Sequence, residues 1–298
     1  MIMYSKSFLE NAKNYYLCIM LLLELIIRTS VDLPCDVETS LKNAQAHAEA
    51  ASVEHTTLST MLANIKLARE RRLPICQDTG TLFFCVDAAE NLSRRRFQVA
   101  VEAAIAEATA MGVLRQNCVE TLSGRNTGNN LGVGSPVVHW KESDDSRSRI
   151  TLMLKGGGSE NMGRQYSLPD KGLGAGRDLD GVRKCLLDAV FQAQGQGCAP
   201  GILGVCIGGD RATGFEESKY QLLRPIGQRS SDQTLAALEE RVLAEANSLG
   251  IGPMGCGGRT TLLDVHIGSL CRLPASYFVS ISYMCWCCRR HSIILQNP

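Results

Sequence analysis

The sequence has almost no net charge, because 31 basic residues stand against 30 acidic ones in 298 residues, for a formal charge of +1. No overall field therefore draws the chain to nucleic acid or to an anionic membrane, and we expect neither partner. Long apolar runs are also scarce. The one candidate, residues 15–27, contains Glu24 and is too short to cross a bilayer core of about 30 Å. We interpret it as a buried helix.

Repeats and low-complexity segments are absent, and a composition of 45% hydrophobic and 20% charged residues is that of a globular protein. We predict a mixed α/β fold in which helices pack around small mixed sheets, as a single domain over residues 1–298 whose first 20 residues form a variable extension. Periodicity predicts helices over residues 9–28, 37–51, 57–71, 97–111, 180–194, 213–223 and 232–249. It predicts strands over residues 82–86, 136–140, 150–154, 202–207, 262–267 and 277–284.

The 28 glycines are unevenly spread, and 17 of them gather in five clusters, at residues 124–134, 156–158, 172–176, 208–209 and 250–258. Glycine loops at strand ends commonly form ligand sites, although each alone is more often a tight turn. The 13 cysteines are an odd number in a chain too large for a disulfide-stapled secreted fold. They indicate a reducing compartment, and we predict a cytoplasmic protein.

Three cysteines lie in turn-forming segments far apart in the chain: Cys76, Cys198 and Cys285. Compact zinc sites draw their ligands from short spacings, and the long intervals between these cysteines disfavour such a site. Single cysteines on three loops can instead hold a cubane cluster by three corners and leave one iron open. The spacing permits a cluster without demanding it, because free cysteine is also a common core residue.

The amino-acid motifs of several segments are more specific than the spacing of the cysteines. Residues 73–81, LPICQDTGT, closely resemble the CQDTG signature of the class I fumarase and tartrate dehydratase alpha-type family. The segments LRQN, NTGNN, KGGGSEN, LGIGP and RLPAS look like that family's motifs in its order; they occupy residues 114–117, 126–130, 155–161, 249–253 and 272–276. The resemblance extends from about residue 22 to residue 295.

The resemblance implies a [4Fe-4S] cluster held by Cys76, Cys198 and Cys285. The sequence departs from the family at Ala199-Pro200, where two prolines are common, and Cys287 competes with Cys285 as the third ligand. We assign eight other cysteines mainly to packing: Cys18, Cys35, Cys85, Cys118, Cys185, Cys206, Cys256 and Cys271. Two of these, Cys206 and Cys256, lie in glycine loops and could have another role.

By the same resemblance the protein is a hydro-lyase that hydrates fumarate to malate, a step of the tricarboxylic acid cycle, or that dehydrates tartrate. An open iron can act as a Lewis acid on a hydroxyl or carboxylate group. Arg115 is the expected carboxylate clamp, because its fork binds carboxylates in bidentate fashion. Gln77 and Asp78 are expected to orient substrate or water, although Asp78 can equally lead a simple turn.

Further site residues are expected in two other segments. Gly157, Gly158, Ser159 and Asn161 can offer donors to a substrate carboxylate, or form only a tight turn. His266 is a candidate catalytic residue, although a lone histidine in an apolar strand is more often a core residue. The pair Arg289-Arg290 can complete an anion site, but arginine pairs near a terminus are usually solvated.

The chain ends soon after the third cysteine, and we expect a separate beta subunit to carry the family's C-terminal catalytic region, in an oligomer. Two other classes of function stay open. A non-catalytic iron–sulfur carrier or sensor would normally use four cysteines around its cluster. A plain binding or assembly module would keep its cysteines in the core and bind no iron.

Overall fold

The computed structural model describes residues 6–90 and 92–296, which divide into two compact units. Unit 1 contains the described residues up to 33, residues 65–155 and those from 289 onward, and unit 2 contains residues 34–64 and 156–288. Each unit has its own sheet and its own apolar core. The prediction of a single domain stays a prediction.

The helices are α1 (Lys6–Val31), α2 (Cys35–His47), α3 (Val53–Arg71), α4 (Arg94–Ala110), α5 (Gly157–Asn161), α6 (Leu179–Ala193), α7 (Arg211–Gln221) and α8 (Gln233–Ser248). The strands are β1 (Thr81–Ala89), β2 (Val137–Ser143), β3 (Arg147–Lys155), β4 (Arg164–Ser167), β5 (Gly201–Gly208), β6 (Leu262–Leu270), β7 (Phe278–Met284) and β8 (Arg289–Gln296).

The sheet of unit 1 has the strand order β2-β1-β3-β8. Strands β1 and β2 are parallel, whereas β3 is antiparallel to both β1 and β8. Alternate residues of a strand project from one face of the sheet, and in β1 and β3 one such set joins the apolar core that α1 and α4 also line. Large buried side chains of this core are Leu22, Leu25, Ile26, Phe84, Val86, Phe97, Val101, Ile105, Ile150 and Leu152.

The sheet of unit 2 has the order β4-β7-β5-β6, with β5 and β6 parallel and the other pairs antiparallel. Helices α6 and α8 supply the main apolar core over this sheet. Helix α7 packs closely on β5 and β7 through small residues. A Cβ on Gly204 would collide with the carbonyl of Ser218, and the Ser218 and Ser282 hydroxyls are hydrogen-bonded at 2.7 Å.

The predicted mixed α/β fold with small mixed sheets is confirmed, and each predicted helix and strand overlaps an observed one. Of the described elements, four were missed, namely α5, β4, β8 and a short 3-10 helix, Pro253–Gly255. The strand predicted to be last is therefore followed by another. The helix predicted over residues 15–27 is only partly buried, since Tyr16, Leu17 and Met20 are exposed. In the described part of the chain, no helix is long and apolar enough to cross a membrane.

Candidate functional site

The loop before β1, residues 72–80, is anchored within unit 1 by Ile75. Pro74 follows the end of α3, as expected of a residue that cannot continue a helix. The amide of Ile75 donates to the Ser30 carbonyl at 3.0 Å, and the Ile75 side chain is buried. Cys76 is half-buried directly after this anchor, and Gln77 is exposed. The loop therefore presents its polar residues from a fixed point.

Thr79 joins this loop to the segment that follows α4. Its buried hydroxyl accepts the backbone amide of Arg115 at 3.3 Å and lies 3.4 Å from the Arg115 carbonyl. The same hydroxyl accepts the side-chain amide of Asn117 at 3.2 Å, and that amide lies 3.4 Å from a carboxylate oxygen of Asp78. These contacts hold Asp78 and Arg115 in one arrangement.

Asn130 fixes the second segment. Its backbone is left-handed, with φ of 62°, which asparagine tolerates better than most residues. Its buried side chain accepts the amides of Asn117 at 2.8 Å and Cys118 at 3.2 Å, and donates to the Arg115 carbonyl at 2.8 Å. The sequence did not single out Thr79, Asn117 or Asn130. Their signal was the run of turn-forming polar residues in which each lies.

A cavity of about 440 Å³ lies over the two segments and is lined by Gln77, Asp78, Arg115, Gln116, Asn117 and Val119. Arg115 is exposed, and its guanidinium has no hydrogen bond or ion pair among the described residues. A guanidinium in such a position can bind a carboxylate through two parallel hydrogen bonds. Three of the four residues predicted to be catalytic, Gln77, Asp78 and Arg115, thus lie together.

The expectation that Arg289 and Arg290 are solvated is wrong. Both lie in β8, with exposed fractions of 1% and 6%. A terminal Nη2 of Arg289 donates to the backbone carbonyl of Asp78 at 2.9 Å. The sequence could not show this contact, because it depends on the pairing of β8 with β3.

In unit 2, Cys198 and Cys285 lie near each other around Tyr283. The amide of Trp286 donates to the Cys198 carbonyl at 3.1 Å. Burial raises the pKa of Tyr283 above its usual value, and the neighbouring thiols of Cys285 and Cys198 raise it further. Cys198 has a left-handed backbone with φ of 56°, a conformation that costs energy in a non-glycine residue.

Two glycines make room for the Tyr283 ring. A Cβ on Gly197 or on Gly201 would collide with atoms of that ring. Because Tyr283 is only 2% exposed, the ring has little freedom to move away. The segment around Cys198 can pack on Tyr283 because a glycine lies on each side of it.

The accessibility of the cysteines differs along the chain. Cys285 is half-buried, whereas Cys287 and Cys288 are buried. Packing is confirmed for Cys85, Cys185 and Cys206, and burial raises the pKa of the Cys185 and Cys206 thiols to about 12. The prediction of a packing role is wrong for Cys35, Cys256 and Cys271, because their side chains are exposed.

The predicted substrate-binding segment forms α5 in unit 2. Gly157, Gly158 and Asn161 are exposed, and a Cβ on Gly158 would meet only the Gln196 carbonyl at 3.8 Å. The Ser159 side chain is buried, and its hydroxyl donates to the Gly156 carbonyl at 2.9 Å. That hydroxyl stabilises the start of α5, and its substrate-binding role stays a prediction.

His266 lies fully buried in β6 of unit 2. Its Nδ1 is 3.1 Å from the Gln221 carbonyl and its Nε2 is 3.0 Å from a carboxylate oxygen of Asp264. Both partners are oxygen acceptors. Asp264 is also paired with Arg229 at 2.6 Å. The geometry gives His266 a structural part in a buried network, and its catalytic role stays a prediction.

Across the described residues, no group of three or more histidine, cysteine, aspartate or glutamate side chains could hold a single metal ion. An iron–sulfur cluster differs from a single ion, because each cysteine binds a different iron and one loop for each thiol is sufficient. Within their units, the half-buried thiols of Cys76, Cys198 and Cys285 have the donor chemistry for this.

A family model described as fumarate hydratase (Fumerase) matches residues 20–294. A protein of Geobacillus stearothermophilus, named a putative fumarate hydratase class I, is 47% identical over 270 residues, which are 90% of this chain and 52% of that relative. A putative L(+)-tartrate dehydratase subunit alpha of Methanocaldococcus jannaschii is 34% identical over 90% of this chain and 93% of its own length. The L(+)-tartrate dehydratase subunit alpha of Escherichia coli K12 is 33% identical over 90% of this chain and 87% of its own length. This chain thus spans about half of the first relative and most of the other two.

Proposed function

This chain belongs to the fumarate hydratase (Fumerase) family, and from that premise we propose that it is the cluster-holding part of a hydro-lyase that hydrates fumarate to malate. The observation that carries the proposal is the cavity in which the exposed guanidinium of Arg115 lies beside Gln77 and Asp78. A dicarboxylate needs such a cation, and Arg115 would bind one of its carboxylates. Gln77 and Asp78 would orient substrate or water.

We assign the ligands of a [4Fe-4S] cluster to Cys76, Cys198 and Cys285, each supplying one thiolate. The cluster, when bound, supplies an open iron that acts as a Lewis acid. The choice of Cys285 over Cys287 is supported by accessibility, because Cys285 is half-buried and Cys287 is buried. Gly157, Gly158, Ser159 and Asn161 are proposed to contact the substrate, and His266 to support catalysis.

Tartrate dehydration is the second candidate, and the lengths of the relatives favour it. Two relatives named tartrate dehydratase alpha subunits match this chain over 93% and 87% of their own length. The relative named a fumarate hydratase has the higher identity, 47%, but this chain covers only 52% of it. The identity therefore supports fumarate as the substrate, and the lengths support an alpha subunit that works with a beta subunit in an oligomer.

The test uses the chain purified without oxygen, with its cluster reconstituted, alone and with a beta subunit. Fumarate hydration is followed by the loss of fumarate absorbance, and L-tartrate dehydration is measured in parallel. We expect weak turnover by the chain alone and fumarate turnover with the beta subunit. Strong turnover by the chain without a beta subunit would contradict the proposal that it needs a partner. Turnover of tartrate but not of fumarate would contradict fumarate as the substrate.

We propose a cytoplasmic location, since an odd number of cysteines, 13, in a chain of this size suits a reducing compartment. Interconversion of fumarate and malate would place the protein in the tricarboxylic acid cycle. Labelling the thiols in intact cells with a membrane-impermeant reagent tests the location, because a cytoplasmic protein should react only after lysis.

A further inference from the structure

Arg289 is buried at the start of β8, at the end of the apolar core of unit 1. It is in register with Leu154 of β3, and Leu154 belongs to that core. Residues paired across two strands project from the same face of a sheet. The Arg289 side chain therefore enters on the core face, and it is 1% exposed.

Only part of the Arg289 guanidinium is satisfied. Nη2 donates to the Asp78 carbonyl, but Nε and Nη1 are buried and have no hydrogen-bond partner among the described residues. A guanidinium remains protonated in proteins. A buried charge without a partner is strongly unfavourable, even after the surrounding structure relaxes. The fold therefore holds a cation whose two remaining nitrogens find no acceptor in the described part of the chain.

Two half-buried arginines of the described chain are paired with buried carboxylates. In unit 2, Arg224 donates to the buried carboxylate of Glu239 at 2.8 Å, and Arg229 donates to the buried carboxylate of Asp264 at 2.6 Å. Both side chains are more exposed than that of Arg289. The missing acceptor at Arg289 is thus a local feature, which indicates that an anionic group completes it.

The position of Arg289 distinguishes two sources of that anion. The cavity beside Asp78 is lined by Gln77 and Arg115 but not by Arg289. The hydrogen bond from Arg289 goes to the backbone of the loop that carries Cys76. This position favours a group bound at Cys76 over a substrate carboxylate in the cavity.

We propose that Arg289 is a positioning residue for the iron–sulfur cluster, in which Nη2 fixes the peptide after Asp78 and the remaining N–H groups donate to the anionic cluster. The inference rests on the proposed function. A cluster with thiolate ligands carries acceptor sulfurs, and hydrogen bonds to them help to set its reduction potential. Arg289 would act through the cluster and the loop, without touching the substrate.

The experiment compares wild type, Arg289→Met and Arg289→Lys after anaerobic reconstitution. Loss of a residue that supports metal ligands typically weakens metal binding by roughly 10- to 100-fold, and we expect Arg289→Met to lose iron to a chelator faster by about that factor. Its cluster should also have a more negative midpoint potential, because a nearby positive charge has been removed. Arg289→Lys should lose iron quickly but keep a potential closer to that of wild type.

The cluster-free proteins give an opposite expectation, which separates this role from a merely structural one. Without a cluster, Arg289→Met should unfold at the same urea concentration as wild type or at a higher one, because it removes an unpaired buried charge. Arg224→Met is the matched control, since it leaves Glu239 with less compensation. That control should unfold at a lower urea concentration and leave the midpoint potential unchanged.

The possible failures are distinguishable. If wild type binds no iron, the proposed function fails, and this inference fails with it. If wild type holds its cluster and Arg289→Met holds it equally well at the same potential, only the inference fails. If cluster retention is unchanged but the KM for the dicarboxylate rises, Arg289 serves the substrate, which also overturns the assignment. Should Arg289→Met not fold, Arg289→Lys supplies the same readouts.

Discussion

The amide of Trp286 donates a hydrogen bond to the carbonyl of Cys198 at 3.1 Å. This bond ties the residue after Cys285 to Cys198, although the two cysteines are far apart in the sequence. The Tyr283 ring lies near both thiols and packs on the glycine that precedes Cys198. The local geometry of these two proposed ligands thus depends on one hydrogen bond and one aromatic ring.

Gly197→Ala should destabilise the protein, because the new Cβ would collide with the Tyr283 ring. Overpacking of a buried site typically costs about 1–3 kcal/mol, and urea unfolding of the cluster-free protein measures the change. Gly158→Ala is the matched control, since its Cβ would meet only one carbonyl at 3.8 Å, and we expect a change within about 0.5 kcal/mol. Equal stability of Gly197→Ala and wild type would contradict the packing described for Tyr283.

Arg115→Lys should raise the KM for the dicarboxylate, because lysine cannot form two parallel hydrogen bonds with a carboxylate. A hydrogen bond to a charged group contributes about 1.5–3 kcal/mol, which corresponds to roughly 10- to 100-fold in KM. Steady-state kinetics of the reconstituted protein with its beta subunit measure the change.

The matched control for Arg115 is Arg125→Lys, in the same exposed region. Arg125 is paired with Glu120 at 2.8 Å and does not line the cavity, so its KM should equal that of wild type. An unchanged KM for Arg115→Lys would refute the carboxylate clamp.

His266→Asn should lower the free energy of unfolding, because the buried Asp264 loses a partner. The loss of one hydrogen bond to a charged group costs about 1.5–3 kcal/mol, and urea unfolding measures it. His47→Asn, at an exposed position, should change stability by less than about 0.5 kcal/mol. A fully stable His266→Asn protein would contradict the buried network. A kcat loss beyond the loss of folded protein would support the proposed catalytic role.

Asp264 should make stability depend on acid pH. Burial by itself would raise its pKa, but hydrogen bonds and charge from His266, together with Gly227 and Arg229, outweigh burial and lower it. The folded state therefore binds this proton less readily than the unfolded state, whose value is about 3.9. The contribution of Asp264 is fully present above that value and is lost as the pH falls through the lower, folded value.

Urea midpoints measured between pH 6 and the acid limit of folding test this dependence. Asp264→Asn should lower the midpoint at pH 6 and should flatten its decline below about pH 4. Asp232→Asn is the control, because asparagine preserves the helix cap that Asp232 provides for α8. If Asp264→Asn and wild type lose stability in parallel as the pH falls, Asp264 is not the group responsible.

The sequence predicted most helices and strands, because those signals are local. Its errors concern long-range pairing. Strand β8 begins with two adjacent arginines, Arg289 and Arg290, which the sequence alone suggests are solvent-exposed. Only the pairing of β8 with β3 shows that they are buried. The two-unit division was also hidden, since each unit combines separate stretches of chain.

The candidate site was predicted in part. The sequence motifs of the loops identified Gln77, Asp78 and Arg115, which line one cavity. It did not identify Asn130, whose importance depends on four hydrogen bonds that form only when the chain is folded. For His266, the sequence could not show that the ring nitrogens face Gln221 and Asp264.

The most direct measurement of the central claim is the iron and acid-labile sulfide content after anaerobic reconstitution. We expect about four of each per wild-type chain, and much less for the variants in which Cys76, Cys198 or Cys285 is replaced by serine. Cys287→Ser, the matched control at a buried neighbour, should retain the cluster. Wild-type content near zero, or a full cluster in any of the three ligand variants, would contradict the account.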